Sequence, residues 1–236
     1  MSQSLRAVTL DAAGTLIAVA EPVGTTYARL AGAHGIVVEA AALEQGFRAA
    51  FASAPPLAFP GASPSRLRDH ERAWWYTVVR TAFGRAAAAP RFDAYFDALF
   101  AHYARADAWR TFPDVLDALR RLLATGLRLA VVSNFDARLP ALLDGLGVAT
   151  LVDHIAYSSH AGAAKPDVAI FHAALHALGV APAEALHVGD DPHADVGGAR
   201  AAGMRAFLID RTGRAADGDA LRSLDQLPAR LAGSTP

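Results

Sequence analysis

Asp11 stands directly after the short apolar run Ala7–Leu10 and opens the stretch Asp11-Ala12-Ala13-Gly14-Thr15. A carboxylate in that position is costly to bury unless a partner compensates it. Further along, Gly189-Asp190-Asp191 ends another apolar run, and Asp195 follows one helical turn later. Convergence of Asp11 with Asp190-Asp191 would crowd like charges, and hard oxygen ligands of this kind suit Mg²⁺. Asp195 could hold a metal-bound water or orient the loop. Ser133 and Asn134 leave a further run and precede a helix beginning near Leu139. Hydroxyl, amide and backbone N–H groups can hold phosphate oxygens there. Lys165, the sole lysine in an arginine-rich chain, precedes Pro166 at the entrance of an expected helix. Its ammonium can act as a point charge on both a carboxylate nucleophile and a phosphoryl oxygen. A carboxylate nucleophile, a divalent ion, hydroxyl and amide donors and a lysine can together form and hydrolyse an aspartyl-phosphate.

Strands must bring these side chains to one edge. Five short apolar runs are expected to be strands: Ala7–Leu10, Leu127–Val132, His154–Tyr157, Leu186–Val188 and Arg205–Ile209. Helical spacing appears between them at Pro113–Thr125, Pro166–Leu178 and Ala194–Ala202. Strands alternating with helices predict a doubly wound parallel sheet, an α/β fold, covered on both faces. Ligands in such sheets sit beyond the carboxyl ends of the strands, where Asp11, Ser133, Asn134, Asp190 and Asp191 fall. Residues 17–108 read as an all-helical insertion with helices at Tyr27–Ala33, Ala41–Ala52, Leu67–Phe83 and Phe92–Ala106, and with Pro55–Ser65 as a proline-rich loop. Residues 1–16 and 109–236 then form the α/β domain. Trp74, Trp75, Phe92, Tyr95, Phe96, Leu99, Phe100 and Tyr103 are the expected core of the insertion.

Of 236 residues, 53 % are hydrophobic and 19 % charged, enough for a large core and too apolar for disorder. A net charge of −1 without a basic stripe gives no nucleic-acid surface. The absence of cysteine excludes disulfides and thiolate metal sites. No run is long enough to span a membrane, and no signal-type segment precedes Asp11. The expectation is a soluble, cytoplasmic chain acting on a small phosphorylated molecule, with no nucleic-acid or membrane partner.

The order Asp11-x-x-Gly-Thr-Leu, Ser133-Asn, Lys165-Pro and Gly189-Asp-x-x-x-x-Asp195 resembles the four motifs of the haloacid dehalogenase-like (HAD) hydrolase superfamily. The run Asp195-x-x-Gly-Ala-Arg-Ala-Ala-Gly-Met is similar to that family's sequence after its fourth motif. Leu43-Glu-Gln-Gly-Phe47, Trp74-Trp75 and Ser133-Asn-Phe-Asp136 resemble one branch of its helical-cap members. The resemblance implies a Rossmann-like core with an inserted helical cap. It also implies Asp11 as nucleophile and metal ligand, the backbone carbonyl of Ala13 as a second ligand and Asp190 as a third. Asp195 would support the metal shell, with Asp191 a further contributor. Ser133, Asn134 and Lys165 would hold the transferring group.

One position departs from the pattern. Family phosphatases usually carry a second aspartate two residues after the nucleophile, as proton donor and water activator; here it is Ala13. Losing a general acid costs about 10² to 10⁴ in rate, most for an alkoxide leaving group and less for an acyl or aryl phosphate. Haloacid dehalogenases lack this aspartate too, but they dispense with the metal, which Asp190, Asp191 and Asp195 argue against. Phosphonoacetaldehyde hydrolases need a cap lysine, and Lys165 is already placed in the core. Asp136 is a candidate replacement acid, ahead of His34, His70, His102, His160, His187 and His193, which read as surface or structural. The sequence therefore predicts a Mg²⁺-dependent phosphatase of restricted turnover. The alternatives are a non-catalytic phosphate-ligand binder and a dehalogenase-type hydrolase. A receiver domain is disfavoured by the large insertion after the first strand.

Overall fold

A computed structural model describes residues 4–213 and 220–233. In chain order it contains β1 (Ala7–Leu10), β2 (Ile17–Val19), α1 (Val23–Ala33), α2 (Ala40–Ser53), α3 (Pro64–Phe83) and α4 (Phe92–His102). There follow β3 (Trp109–Thr111), α5 (Val115–Ala124), β4 (Arg128–Ser133), α6 (Leu139–Gly145), β5 (His154–Tyr157) and α7 (Ser158–Ala161). The chain continues through α8 (Val168–Leu178), β6 (Ala185–Gly189), α9 (Gly198–Ala201), β7 (Arg205–Leu208) and α10 (Leu227–Gly233).

Five strands form one sheet in the order β5-β4-β1-β6-β7, and every pairing is parallel. The chain runs from β1 outward to β4 and β5, then returns to the other side of β1 for β6 and β7. The strand order therefore reverses beside β1, the position at which open α/β sheets form their binding crevice. Successive strand residues point to opposite faces. Ala7, Ala130, Val132 and Ala185 pack with Ile170, Phe171 and Ala174 of α8 and Ala199 of α9. Val8, Leu10, Leu129, Val131, Leu186 and Val188 alternate with them and are also buried. Burial on both faces explains why these strands read as continuous apolar runs.

The described chain divides into two compact units, one of residues 1–18, 58–61 and 111 onward, the other of residues 19–57 and 62–110. The second contains α1–α4. Its interior gathers Tyr27, Leu43, Val79, Phe83, Phe92, Tyr95, Phe96 and Leu99, with Trp75, Phe100 and Tyr103 partly buried against them. Trp74 is only half-buried, and its indole N–H donates to the carbonyl of Pro55. Glu44 of the Leu43–Phe47 stretch accepts from the N–H of Gly24 in the first turn of α1 (2.7 Å), a structural use of that stretch.

Two differences from the sequence reading stand out. Residues 17–108 were expected to be all-helical, yet the stretch opens with β2, which pairs with β3 just beyond it as a separate two-stranded sheet. Three residues per strand are too few to show alternation. The expected helix Ala194–Ala202 instead begins as a π-helical turn, Pro192–Gly197, before α9. Asp191 sets this turn: its carboxylate accepts from the N–H groups of His193 and Ala194, and its carbonyl from those of Asp195 and Val196.

Candidate active site

Asp11 leaves the carboxyl end of β1, and its N–H continues the ladder by donating to the carbonyl of Val188 (2.9 Å). Its side chain is buried, and Oδ1 accepts from Lys165 Nζ at 2.5 Å. The same ammonium donates to Asp195 Oδ1, also at 2.5 Å. Asp195 Oδ1 takes a further bond from His187 Nε2 (3.1 Å), and Oδ2 accepts from the N–H of Asp191 (3.0 Å). One carboxylate oxygen each from Asp11, Asp190 and Asp195 lies within 4.8 Å of the other two. Residues far apart in sequence thus form one cluster.

Two glycines permit that approach. A Cβ on Gly14, whose φ is +92°, would lie 2.3 Å from Asp190 Oδ2. A Cβ on Gly189 would lie 2.2 Å from Asp195 Cγ. Any side chain at either position would displace a carboxylate.

Three carboxylates surround one ammonium, so two negative charges are left over. Burial opposes ionisation of Asp195, but the Lys165 charge and the His187 bond outweigh it and hold that carboxyl below its ordinary value. Asp11 is less well compensated. Burial pushes its carboxyl up, the Lys165 charge pulls it back, and the Asp195 charge raises it again. Asp190 keeps solvent contact, yet desolvation followed by the charges of Asp11 and Asp195 pushes it up to about 7. Burial works against the Lys165 ammonium, and the paired charges of Asp11 and Asp195 reverse this and raise its pKa. Uncompensated hard oxygen donors of this kind fit a divalent cation.

The remaining expected residues take different places. Ser133 is the buried last residue of β4, and the parallel register brings it beside the end of β1. The carbonyl of Ala12 accepts three N–H groups and the N–H of Gly14 donates to Ile17, so the bridge at Ala13 leaves its own carbonyl out of the ladder. Asn134, expected to hold phosphate, uses its side-chain amide within the fold. Its amide oxygen accepts from the N–H of Lys165 (2.7 Å) and its amide nitrogen donates to the carbonyl of Lys165 (2.9 Å). It clamps the backbone that presents the ammonium. The exposed carboxylate of Asp191, expected as a further metal contributor, caps the π-helical turn, and it is not one of the three clustered carboxylates. Asp136 is fully buried under Arg138, accepting from its N–H, Nε and Nη2, so its carboxylate is committed as an ion pair rather than poised as an acid.

A supporting group escaped the sequence reading. Arg211 donates through Nε (2.9 Å) and Nη2 (2.6 Å) to the carbonyl of Thr15. Its Nη1 reaches both oxygens of Asp114, and the guanidinium lies 4.0 Å from the Phe112 ring centre. Asp114 also accepts from Ser223 Oγ and the N–H of Leu224. The loop after the nucleophile is thereby tied to the segment that re-enters the first unit. Thr15 in turn donates to Asp190 at 3.5 Å.

Fold and cluster together describe a buried acidic centre at the strand-order reversal of a parallel α/β sheet. Residues 5–203 match the family model for haloacid dehalogenase-like hydrolases, and the chain belongs to that family. The "Haloacid dehalogenase-like hydrolase domain-containing protein 3" of Bos taurus is 39 % identical over 208 residues, covering 87 % of this chain and 82 % of its own. A phosphoserine phosphatase of Thermus thermophilus is 38 % identical over 145 residues, 61 % of this chain and 57 % of its own. The solved structure of an L-2-haloacid dehalogenase from Xanthobacter autotrophicus superposes with a TM-score of 0.70 over 98 % of this chain and 100 % of its own, at 20 % identity, a likeness of fold alone. The protein is a hydrolase with relatives of the phosphatase type. Among the described residues, no helix is long and apolar enough to cross a membrane.

Proposed function

We propose that the chain is a Mg²⁺-dependent phosphatase acting on a small phosphorylated molecule whose leaving group departs without a proton from the enzyme. The observation that carries this reading is the shared pairing of Lys165 with Asp11 and Asp195 beside an under-compensated Asp190. Asp11 and Asp190, with the free carbonyl of Ala13, would hold the cation, and Asp195 would support them. Bound there, Mg²⁺ would neutralise the excess charge and polarise the phosphoryl oxygens.

Asp11 then serves as the nucleophile. A carboxylate oxygen attacks phosphorus, the P–O bond to the leaving group breaks with its electron pair on oxygen, and an aspartyl-phosphate forms. Water next attacks phosphorus, the bond from phosphorus to the Asp11 oxygen breaks with its electron pair on the carboxylate, and the protons of the water leave with the inorganic phosphate. Lys165 screens the approach of an anionic substrate to Asp11, and Ser133 offers its hydroxyl to a phosphoryl oxygen. Nothing at position 13 donates a proton, Asp136 is tied to Arg138, and His160 and His193 are exposed. Acyl and aryl phosphates therefore suit the site better than alkyl esters.

The test is turnover of acetyl phosphate, p-nitrophenyl phosphate and an alkyl phosphate, with and without Mg²⁺. Mg²⁺-dependent hydrolysis is expected, fastest for the first two and reduced at least about 10⁴-fold in Asp11→Asn. Tight metal-dependent binding of phosphorylated compounds with no turnover of any would sink the catalytic reading and favour a binding protein.

A further inference from the structure

The sheet carries two polar side chains where its neighbours are apolar. Thr9 and His187 are paired in register on β1 and β6, share a face, and are both fully buried. Thr9 Oγ1 lies 2.8 Å from His187 Nδ1, and His187 Nε2 lies 3.1 Å from Asp195 Oδ1. The ring edge of His187 packs against Phe171, at 5.1 Å between centroids. The phosphatase reading gives neither residue a task, and a buried imidazole between aliphatic strands is costly without one.

We propose that Thr9 and His187 are positioning residues that hold Asp195, and through it Lys165, in register with Asp11. For a neutral imidazole the three groups allow one ordering of protons. The Asp195 carboxylate only accepts, so Nε2 must carry the proton that meets it. With the imidazole neutral, Nδ1 is then a lone pair, and the Thr9 hydroxyl donates to it. Burial disfavours the imidazolium, and the bond and charge of Asp195 oppose that effect without overcoming it. Asp195 thus fixes the tautomer, the Thr9 hydroxyl satisfies the lone pair left on Nδ1 and holds the ring in place, the ring supplies the second N–H on Asp195 Oδ1, and Asp195 shares the Lys165 ammonium with the nucleophile. In the other tautomer a nitrogen lone pair would face Oδ1 at 3.1 Å, and the repulsion would turn Asp195 away from Lys165. Lys165 would then settle on Asp11 alone and blunt its nucleophilicity.

The inference rests on the phosphatase reading for its kinetic consequence but not for its structural one, so two measurements separate them. The first is ¹⁵N NMR of the imidazoles in the whole protein without substrate. His187 should be neutral and protonated on Nε2, and in Thr9→Val, which matches threonine in shape, the Nδ1 signal should move downfield as its lone pair loses its donor while Nε2 keeps its proton. A wild-type His187 that carries its proton on Nδ1, or on both nitrogens, overturns the proposal. The second is kinetics on the aryl phosphate. Thr9→Val should lower kcat about tenfold with KM within about twofold, since a small misplacement of a reacting group acts on the transition state. Thr9→Ser, which restores the hydroxyl, should recover most of the rate. His187→Gln, which keeps an N–H toward Asp195, should retain more than His187→Phe. Losses that merely follow the folded fraction, or a Thr9→Val enzyme as fast as wild type, overturn the proposal. A wild-type chain without turnover would sink the phosphatase reading while the NMR result still decides this one.

Discussion

The two units bury different chemistry. The α/β unit places Asp11, Lys165, Asp195, His187 and Thr9 inside, and each has a hydrogen-bonding partner. The helical unit fills its interior with rings: Phe83 lies 4.9 Å from Tyr95 and 5.4 Å from Phe92, and Tyr76 lies 5.0 Å from Phe96. There the Tyr95 hydroxyl is fully buried with no hydrogen-bond partner. An aromatic core gains from area and ring geometry and tolerates an idle polar atom at modest cost. A charged core cannot, because an unpaired buried charge costs several kcal/mol. Substitutions in the first unit should therefore act on function and stability together, and those in the second on stability alone.

The largest gain is expected at Ala13. Ala13→Asp would add the acid that the leaving group lacks, and alkyl phosphate turnover should rise about 10²-fold. Acyl phosphate turnover should change far less, because that leaving group needs no proton. A uniform change across substrates, or none, would break the account of the missing acid.

Next comes the clamp on the nucleophile loop. Arg211 and Asp114 are each about nine-tenths buried, and they bind Thr15, Ser223 and Leu224 as one cluster. Arg211→Ala should cost about 3 kcal/mol by urea unfolding, since it strands a buried carboxylate. Arg211→Lys should recover only part of that, because an ammonium cannot donate in a plane to Thr15 and Asp114 while stacking on Phe112. A loss below about 1 kcal/mol would show the clamp to be a surface ion pair in effect.

These cases mark what the sequence can disclose. Asp11, Asp190, Asp195 and Lys165 were legible because each follows a recognisable run at a fixed spacing, and alternating strands and helices placed them at one edge. The task of Asn134 was not, because its amide serves the backbone of a residue 31 positions away. Thr9 and His187 meet across 178 residues through strand register, and Arg211 meets Thr15 across 196. Strand register and side-chain direction are not written in local spacing. A signal for His187 did exist, as a polar side chain inside an apolar strand, but the same pattern fits any satisfied core histidine. The π-helical turn was hidden because Asp191 was read toward the metal shell, whereas its carboxylate caps that turn.

A third test uses pH. Asp190 rises from an ordinary 3.8 to about 7 in the metal-free fold. Between about pH 4 and 7 the folded chain holds a proton that the unfolded chain has lost, so this group makes stability fall as pH rises through that window. Asp195 has the opposite sign: its folded pKa is depressed, so its stabilisation is present above the unfolded value and lost only in acid. Melting temperatures in EDTA should show the Asp190 contribution as a decline in wild type relative to Asp190→Asn. Mg²⁺ should remove the decline, because binding displaces that proton. If wild type and Asp190→Asn share one metal-free profile, the crowding of the carboxylates is weaker than their geometry implies.

The smallest effect tests the other side of the comparison. Burial, and then the neighbouring Tyr27 and Tyr103, push the Tyr95 phenol far above its ordinary pKa, so it stays neutral and idle. Tyr95→Phe keeps the ring contacts with Phe83 and Phe92 and removes the one atom that lost its water on folding. Stability should rise by about 1 kcal/mol, measured as the denaturant midpoint at constant m-value, with kcat unchanged. A loss of similar size would mean that the hydroxyl has a bound partner such as an ordered water. The helical unit would then hold a polar site of its own, and its contrast with the charged α/β interior would be one of degree.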